Sequence, residues 1–222
     1  MTAVEFYLDP MCPWAYRTST WIREVRSQID LQVDWRFFSL EEINREEGHR
    51  HPWERDWSYG WSQMRVGALL RRQSMDTVDR WYATTSAAFF EQGRPTFTRE
   101  GQHDVLRSMG LPESLVEDAL ADPTTAQEVR ADHDHLVSQL GGHGVPTLVF
   151  DDRDAFFGPV VLNPPVGPAA VRLWELVCGW REFGDLYELR RPKTGDDMRS
   201  IGAAFSTYLD ARAWGTIQNA AS

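Results

Sequence analysis

The stretch DPMCPWAYRTSTW, from Asp9 to Trp21, decides how this sequence folds. It follows an apolar, β-prone run, Ala3 to Leu8, which predicts a buried strand that ends at the Asp-Pro pair. From Pro13 onward apolar residues recur at helical spacing, and proline is well tolerated as the first residue of a helix. The sequence therefore predicts a strand, a tight turn and a helix, with Cys12 at the helix N-terminus.

The rest of the pattern extends this opening into a βαβ unit with a helical insertion. Leu31 to Leu40 alternates apolar and polar residues, which predicts a second strand parallel to the first. Helical patterns then dominate, and strand signals return only at Thr147 to Phe150 and Ala155 to Phe157, before a covering helix at Val171 to Trp180. The sequence predicts an α/β protein with three parts: residues 1–57 and 141–192 as one domain, residues 58–140 as an all-helical insertion, and residues 193–222 as a C-terminal tail.

Composition limits the classes of partner. The 222 residues include 23 basic and 33 acidic residues, and the net charge of −10 argues against a nucleic acid or an anionic membrane held by a basic surface. No apolar run approaches the roughly 20 residues that cross a bilayer, and no basic and then apolar leader begins the chain. We therefore expect a cytoplasmic protein that acts on small molecules. Whether it forms a homodimer stays an open question.

Cys12 carries the strongest signal for chemistry. A helix N-terminus can hold a thiolate and lower the thiol pKa to between about 3.5 and 7.5. A lone cysteine is often just a small buried residue, but the flanking Pro13 and Trp14 favour a functional role here. We expect Cys12 to be exposed and ionised, whereas Cys178 lies in an apolar helical pattern and is interpreted as a core residue. Ala15 occupies the position three after Cys12, where a second thiol would resolve a disulfide.

The order of these elements resembles the DsbA-like thioredoxin superfamily, and within it the mycothiol-dependent nitroreductases, which are related to FrnE-type proteins and 2-hydroxychromene-2-carboxylate isomerases. The resemblance implies a thioredoxin-like fold with an all-helical insertion. Members with full dithiol chemistry carry a cysteine where this chain has Ala15. The matching segments cover most of the chain up to about residue 192: DPMCPWAYRTSTWIREV (9–25), MRVGAL (64–69), GVPTLVF (144–150), AFFGPV (155–160) and YELRR (187–191).

The resemblance also implies a site for a low-molecular-weight thiol. Cys12 would be the nucleophile, and the thiol would contact Pro13, Trp14, Val145 and Pro146. The Val145-Pro146 bond would be cis, so that the valine backbone faces the bound sulfur. Mycothiol is the thiol that the resemblance implies, with glutathione as a second candidate.

Aromatic residues predict the walls of a cleft for a planar substrate. Tyr16, Trp53 and Trp61 are the candidates, and core packing explains them equally well. His133 and His135 lie two residues apart on a predicted helix, so we expect a solvated surface there rather than metal ligands. No glycine-rich phosphate fingerprint opens a βαβ unit, so we expect neither a tightly bound flavin nor a nicotinamide, and no metal.

The missing second cysteine predicts the type of reaction. Without it, an oxidised Cys12 can be reduced only by an outside thiol, which indicates a cycle through a mixed disulfide. The resemblance then implies a mycothiol-dependent reductase of nitroaromatic or other electrophilic compounds. Two alternatives stay open: an isomerase or transferase in which the active-site residue only positions the sulfur of the cofactor, and a binding protein without turnover.

Overall fold

A four-stranded mixed sheet forms the centre of the fold. The computed structural model of the chain describes residues 2–151 and 153–211. The strand order is β2-β1-β3-β4; β1 pairs parallel with β2 and antiparallel with β3, and β3 pairs antiparallel with β4. Phe6 of β1 lies opposite Trp35 of β2 and Leu148 of β3, and all three are fully buried. The strands are β1 Thr2–Leu8, β2 Leu31–Phe37, β3 Thr147–Phe150 and β4 Asp154–Phe157.

Ten helices accompany this sheet in the part of the chain that the structure describes, and six of them lie between β2 and β3 in the chain. They are α1 Pro13–Arg26, α2 Leu40–Ile43, α3 Trp61–Arg71, α4 Met75–Phe90, α5 Arg99–Ser108, α6 Leu115–Ala121, α7 Pro123–Asp134, α8 Pro168–Trp180, α9 Gly195–Ala204 and α10 Ser206–Ala211. A 3-10 turn covers Pro52–Glu54, and a π-helical turn, His135–Gln139, continues α7. The prediction of an α/β protein with a helical insertion is confirmed.

Short polar side chains set where several helices begin. The Ser74 hydroxyl accepts a hydrogen bond from the Thr77 N–H at 3.0 Å, and the Thr98 hydroxyl accepts one from the Gly101 N–H at 3.0 Å. Such caps satisfy N–H groups that have no partner in the first helical turn. Ser39 does the same for α2, because its hydroxyl accepts from the Glu42 N–H at 3.1 Å. The predicted second strand was therefore too long: β2 ends at Phe37, and Leu40 already belongs to a helix.

The main core lies between the sheet and the helices packed on it. Trp21 of α1, Trp35 of β2 and Trp81 of α4 are fully buried in it, and the Trp21 ring lies 6.2 Å from that of Trp174 in α8. Aromatic residues of this size dominate the energetics of a core. These tryptophans are thus used in core packing. None of the described helices combines the length and the apolarity that a bilayer-spanning helix needs.

The surface predicted around His133 is buried, so that prediction was wrong. His133 is 4% exposed, and its Nδ1 accepts a hydrogen bond from the Ser39 N–H at 3.2 Å. The neighbouring Asp132 accepts from the Phe37 N–H at 3.1 Å and pairs with Arg71. The physical reason is that α7 packs against the end of β2, where backbone N–H groups need acceptors. Within the described residues no group of three His, Cys, Asp or Glu side chains could hold a metal.

Candidate active site

Cys12 is the N-cap residue of α1, with an extended backbone (φ −92°, ψ 109°). Its Sγ accepts a hydrogen bond from the Ala15 backbone N–H at 3.4 Å. The thiol donates to the Val145 carbonyl, also at 3.4 Å, so the loop after β1 meets the loop before β3 at the sulfur. The Val145-Pro146 bond is cis, which confirms the expectation from the resemblance. The predicted thiol position is thus built from two segments that are distant in sequence.

The thiol is buried and protonated, which contradicts the expected exposed thiolate. Cys12 is only 6% exposed, and burial raises the pKa of its thiol to about 12. The N–H groups of Ala15 and Trp14 act in the opposite direction and lower the pKa, as expected at a helix N-terminus, while Asp9 raises it further. Loss of hydration outweighs the helix N-terminus here, because the charged form lies among apolar side chains.

The end of α7 contributes to the apolar cluster in which Cys12 is buried, and this contribution, Leu136 and Val137, is called the cover below. The π-helical turn places Leu136 in the same apolar cluster as Cys12 and Val145, with Val137 at its margin. Gly142 packs directly against the Leu136 side chain. A β-carbon at this position would lie 2.5 Å from the Leu136 Cγ, so only glycine leaves room for the leucine there. Isolated π-helical turns inside α-helices frequently mark functional sites. This cover lies far along the chain from Cys12, and nothing in the local sequence of the cysteine loop indicated it.

Asp9 organises the loop that carries the cysteine. One carboxylate oxygen accepts from the Met11 N–H at 2.8 Å, and the other accepts from the Leu40 N–H at 2.8 Å. The group is completely buried, and burial raises its pKa to about 7 in spite of these two hydrogen bonds. A side chain at Gly60 would collide with it, since a β-carbon there would lie 2.9 Å from the carboxylate. From sequence, Asp9 was interpreted only as the end of a strand.

Trp14 and Tyr16 form the aromatic side of the site. Tyr16 is buried, stacks on Phe90 of α4 at 5.3 Å, and donates a hydrogen bond to Glu91 at 2.6 Å. Burial and this carboxylate both raise the pKa of Tyr16 above its ordinary 10, so its hydroxyl stays protonated. Trp14 is half-buried and meets Phe205 of the C-terminal tail edge-on, with ring centroids 5.0 Å apart. The first helical turn after Cys12 thus carries two aromatic side chains, and the role of Tyr16 as a wall for a substrate stays a prediction.

The two predicted tryptophans lie elsewhere. Trp61 is 1% exposed and belongs to the main core, where it packs against Trp53 at 5.1 Å. Trp53 lines an open cleft of about 510 Å³, and its ring is contacted by His51 at 4.3 Å and by the Arg130 guanidinium at 4.7 Å. Three carboxylates, those of Glu42, Glu54 and Asp134, also line that cleft. The cleft also reaches Val137, which packs on the Cys12 cluster.

A comparison with protein-family models identifies the class of protein. The model of the Rv2466c-like proteins, described as mycothiol-dependent nitroreductase Rv2466c, matches residues 11–191. The chain belongs to this family. It is 49% identical to the uncharacterized protein Rv2286c of Mycobacterium tuberculosis over 217 residues, which cover 98% of this chain and 94% of that protein. The family expected from the cysteine loop is therefore confirmed.

Solved structures of distant relatives confirm the fold. A "probable DsbA oxidoreductase SCO1869" from Streptomyces coelicolor superposes with a TM-score of 0.58 at 21% identity, covering 89% of this chain and 97% of that one. A 2-hydroxychromene-2-carboxylate isomerase superposes with a TM-score of 0.55 at 14% identity, covering 81% and 95%. At these identities the likeness establishes the DsbA-like thioredoxin fold alone. Together with the family match, it supports a thiol-dependent enzyme.

Proposed function

We propose that this protein is a mycothiol-dependent oxidoreductase that reduces nitroaromatic or similar electrophilic compounds through a mixed disulfide on Cys12. The observation that carries the proposal is the position of the Cys12 sulfur, 3.4 Å from both the Ala15 N–H and the Val145 carbonyl. The N–H can stabilise a thiolate, and the Val145 backbone can pair with an incoming thiol compound. With both cysteines free, the protein fits the reducing cytoplasm, where we place it.

The proposed cycle uses two thiols for each pair of electrons. Cys12 and one mycothiol thiol form a mixed disulfide and release two protons and two electrons, which convert a nitro group to a nitroso group and water. The thiolate of a second mycothiol then attacks the mixed disulfide, forms oxidised mycothiol and releases the Cys12 thiolate. Ala15 leaves no internal competitor for this second step, because the loop has no resolving cysteine.

The buried thiol requires the site to open before it reacts. A thiol with a pKa near 12 is almost entirely protonated at neutral pH, and the thiolate is the nucleophile. We propose that entry of the thiol compound displaces the cover at Leu136 and Val137, hydrates the sulfur and lets the α1 N–H groups lower its pKa. The cover would then limit oxidation of Cys12 when no thiol compound is bound.

The Trp53 cleft offers a place for the polar half of the thiol. Mycothiol carries its cysteine on a glucosamine and an inositol, which present many hydroxyl groups. Carboxylates at Glu42 and Asp134 and the Arg130 guanidinium line the cleft, and such groups bind hydroxyls well. Pro13, Trp14, Val145 and Pro146 would hold the sulfur end. We therefore propose that Trp53 contacts the thiol rather than the aromatic substrate.

The buried, protonated state of Cys12 also favours a second candidate function. A thiol that stays protonated can position the sulfur of a bound cofactor by hydrogen bonding without attacking anything. That is the role expected in an isomerase or transferase of the 2-hydroxychromene-2-carboxylate isomerase type. The two candidates differ in whether Cys12 becomes covalently modified.

Turnover by matched cysteine variants tests the proposed function. Reduction of a nitroaromatic compound by reduced mycothiol would be followed by absorbance for the wild type, Cys12→Ser and Cys178→Ser. We expect Cys12→Ser to lose at least about 100-fold in rate, because serine cannot form the disulfide, and Cys178→Ser to keep wild-type activity. Full activity of Cys12→Ser would contradict the mixed disulfide on Cys12 and favour the positioning role.

A further inference from the structure

The C-terminal tail reaches the active-site loop through aromatic residues. Residues 182–194, between α8 and α9, are all exposed, and α9 itself has no buried residue. The chain returns to the body of the protein at Phe205 and Tyr208, which are 6% and 5% exposed. Arg17 of α1 bonds to the Ala204 carbonyl at 3.4 Å, next to this contact. The described part of the tail is thus attached to the active-site side of the protein through residues 204–208.

The two rings complete an apolar cluster rich in aromatic residues, and the space that they fill is called the pocket below. Tyr208 meets Phe89 and Phe90 of α4 at 5.1 Å and 5.2 Å, with the Phe89 contact edge-on. Phe205 meets Trp14, two residues after Cys12, in the edge-on contact described above. Met11, the residue before Cys12, belongs to the same cluster. The pocket therefore begins at the residues that flank the reactive sulfur.

Arg17 adds a polar feature to this otherwise apolar pocket. Its guanidinium lies 5.9 Å from the centre of the Phe205 ring. Its Nε is buried and has no hydrogen-bond partner among the residues that the structure describes. A buried donor without an acceptor is unfavourable, and an oxygen of a ligand that enters beside the guanidinium would satisfy it.

We propose that this pocket is the binding site for the planar aromatic substrate, and that Phe205 and Tyr208 are its internal occupants, which the substrate displaces. The proposal rests on the proposed function and specifies where its substrate binds. A nitroarene can make the edge-on and stacked ring contacts that the tail now makes with Trp14, Phe89 and Phe90. A nitro oxygen can accept a hydrogen bond from the Arg17 Nε–H. Substrate entry then removes the C-terminal tail from the cysteine loop.

The first test follows the tail in the wild-type protein. Amide hydrogen exchange would be measured on the reduced protein, without mycothiol, in the absence and presence of saturating 4-nitrobenzyl alcohol. The Leu209 N–H bonds to the Phe205 carbonyl at 2.8 Å and reports on the α10 end of the tail. We expect faster exchange in 205–211 when the nitroarene is bound. Unchanged or slower exchange there would overturn the proposal, because the ligand would then leave the tail in place.

The second test removes the occupant. While Phe205 fills the pocket, a ligand can bind only to the fraction of molecules in which the pocket is open, and its apparent affinity is lowered by that fraction. Phe205→Ala should therefore bind 4-nitrobenzyl alcohol about tenfold more tightly, as measured by calorimetry. Phe205→Trp, which keeps a ring in the pocket, should not gain affinity. Met198→Ala is the matched control, because Met198 is 56% exposed in the same tail and its change should leave the affinity unaltered.

These outcomes separate the substrate site from the proposed function. Equal or weaker binding by Phe205→Ala, with a native circular dichroism spectrum, would overturn the pocket assignment even if Cys12 forms its mixed disulfide. Displacement of the tail without any Cys12 chemistry would instead keep the pocket and contradict the reductase.

Discussion

Cys12 and Cys178 are both free thiols, and their surroundings differ in a way that reverses the expectation from sequence. Cys12 is buried at a helix N-terminus, with a backbone donor and a backbone acceptor on its sulfur. Cys178 lies in the last turns of α8 and is partly exposed, with Arg181 lowering a pKa that burial raises. The comparison teaches that polar partners, rather than exposure, distinguish the thiol that we propose as the nucleophile. Access to Cys12 must then be controlled by whatever covers it.

The largest expected effect is a difference in alkylation between the two cysteines. At pH 7, iodoacetamide should modify Cys178 at least about tenfold faster than Cys12 in the folded protein, because a pKa near 12 leaves little Cys12 thiolate. Peptide mapping by mass spectrometry at timed intervals would measure both rates. In denaturant the two rates should become similar. Faster labelling of Cys12 in the folded protein would show that the site is already open.

The second effect concerns the cover. Leu136→Ala should raise the rate of Cys12 alkylation about tenfold and leave Cys178 unchanged, because water then reaches the sulfur and lowers its pKa. The change should also destabilise the protein by about 2 to 5 kcal/mol, as burial of a leucine predicts. Rates of alkylation and urea unfolding would be measured on the same samples.

A matched control separates opening of the cover from general destabilisation. Leu106→Ala removes the same atoms from a fully buried leucine of the main core, remote from the Cys12 cluster. If Leu106→Ala accelerates Cys12 alkylation as much as Leu136→Ala does, the cover is not what limits access.

The smallest effect concerns Asp9. Its pKa of about 7 in the folded protein lies above the roughly 3.9 of an unfolded aspartate, so the folded state binds the proton more tightly. Stability should then fall as pH rises from about 4 to 7, by at most about 1.4 kcal/mol per pH unit. Asp9→Asn removes this slope, although it also costs about 1 to 3 kcal/mol at every pH, because an amide cannot accept from both N–H groups.

Urea unfolding of the wild type and Asp9→Asn at several pH values measures this slope. The exposed Asp185→Asn is the control, and it should keep the wild-type slope. Parallel pH profiles for the wild type and Asp9→Asn would mean that Asp9 is ionised throughout. Asp9→Asn should also alkylate Cys12 faster above pH 7, because the Asp9 charge raises the Cys12 pKa.

Local patterns in the sequence predicted the fold and the position of the cysteine. The alternation in β2, the helical spacing after Pro13 and the strand after Pro146 each depend on neighbouring residues, so they could be recognised from sequence. The meeting of Cys12 with Val145 came from the resemblance, and the structure confirms it. The error at Leu40 arose because a capping serine inside an apolar run was interpreted as part of a strand.

The surroundings of the sulfur could not be predicted in the same way. Whether Cys12 is ionised depends on the balance between two effects. The helix N–H groups adjoin Cys12 in sequence, whereas its burial also involves residues far along the chain, such as Leu136. The two hydrogen bonds of Asp9 likewise depend on where α2 lies. The contact of Phe205 with Trp14 joins the tail to the first turn of α1, and no periodic pattern marks such a pairing.

The most direct test of the central claim is the intact mass of the protein after incubation with oxidised mycothiol. The wild type and Cys178→Ser should each gain the mass of one mycothiol, lost again on addition of reduced mycothiol, and Cys12→Ser should gain none. Peptide mapping should place the adduct on Cys12, with oxidised glutathione giving slower modification. An adduct on Cys178 alone, or no adduct on the wild type, would contradict the account.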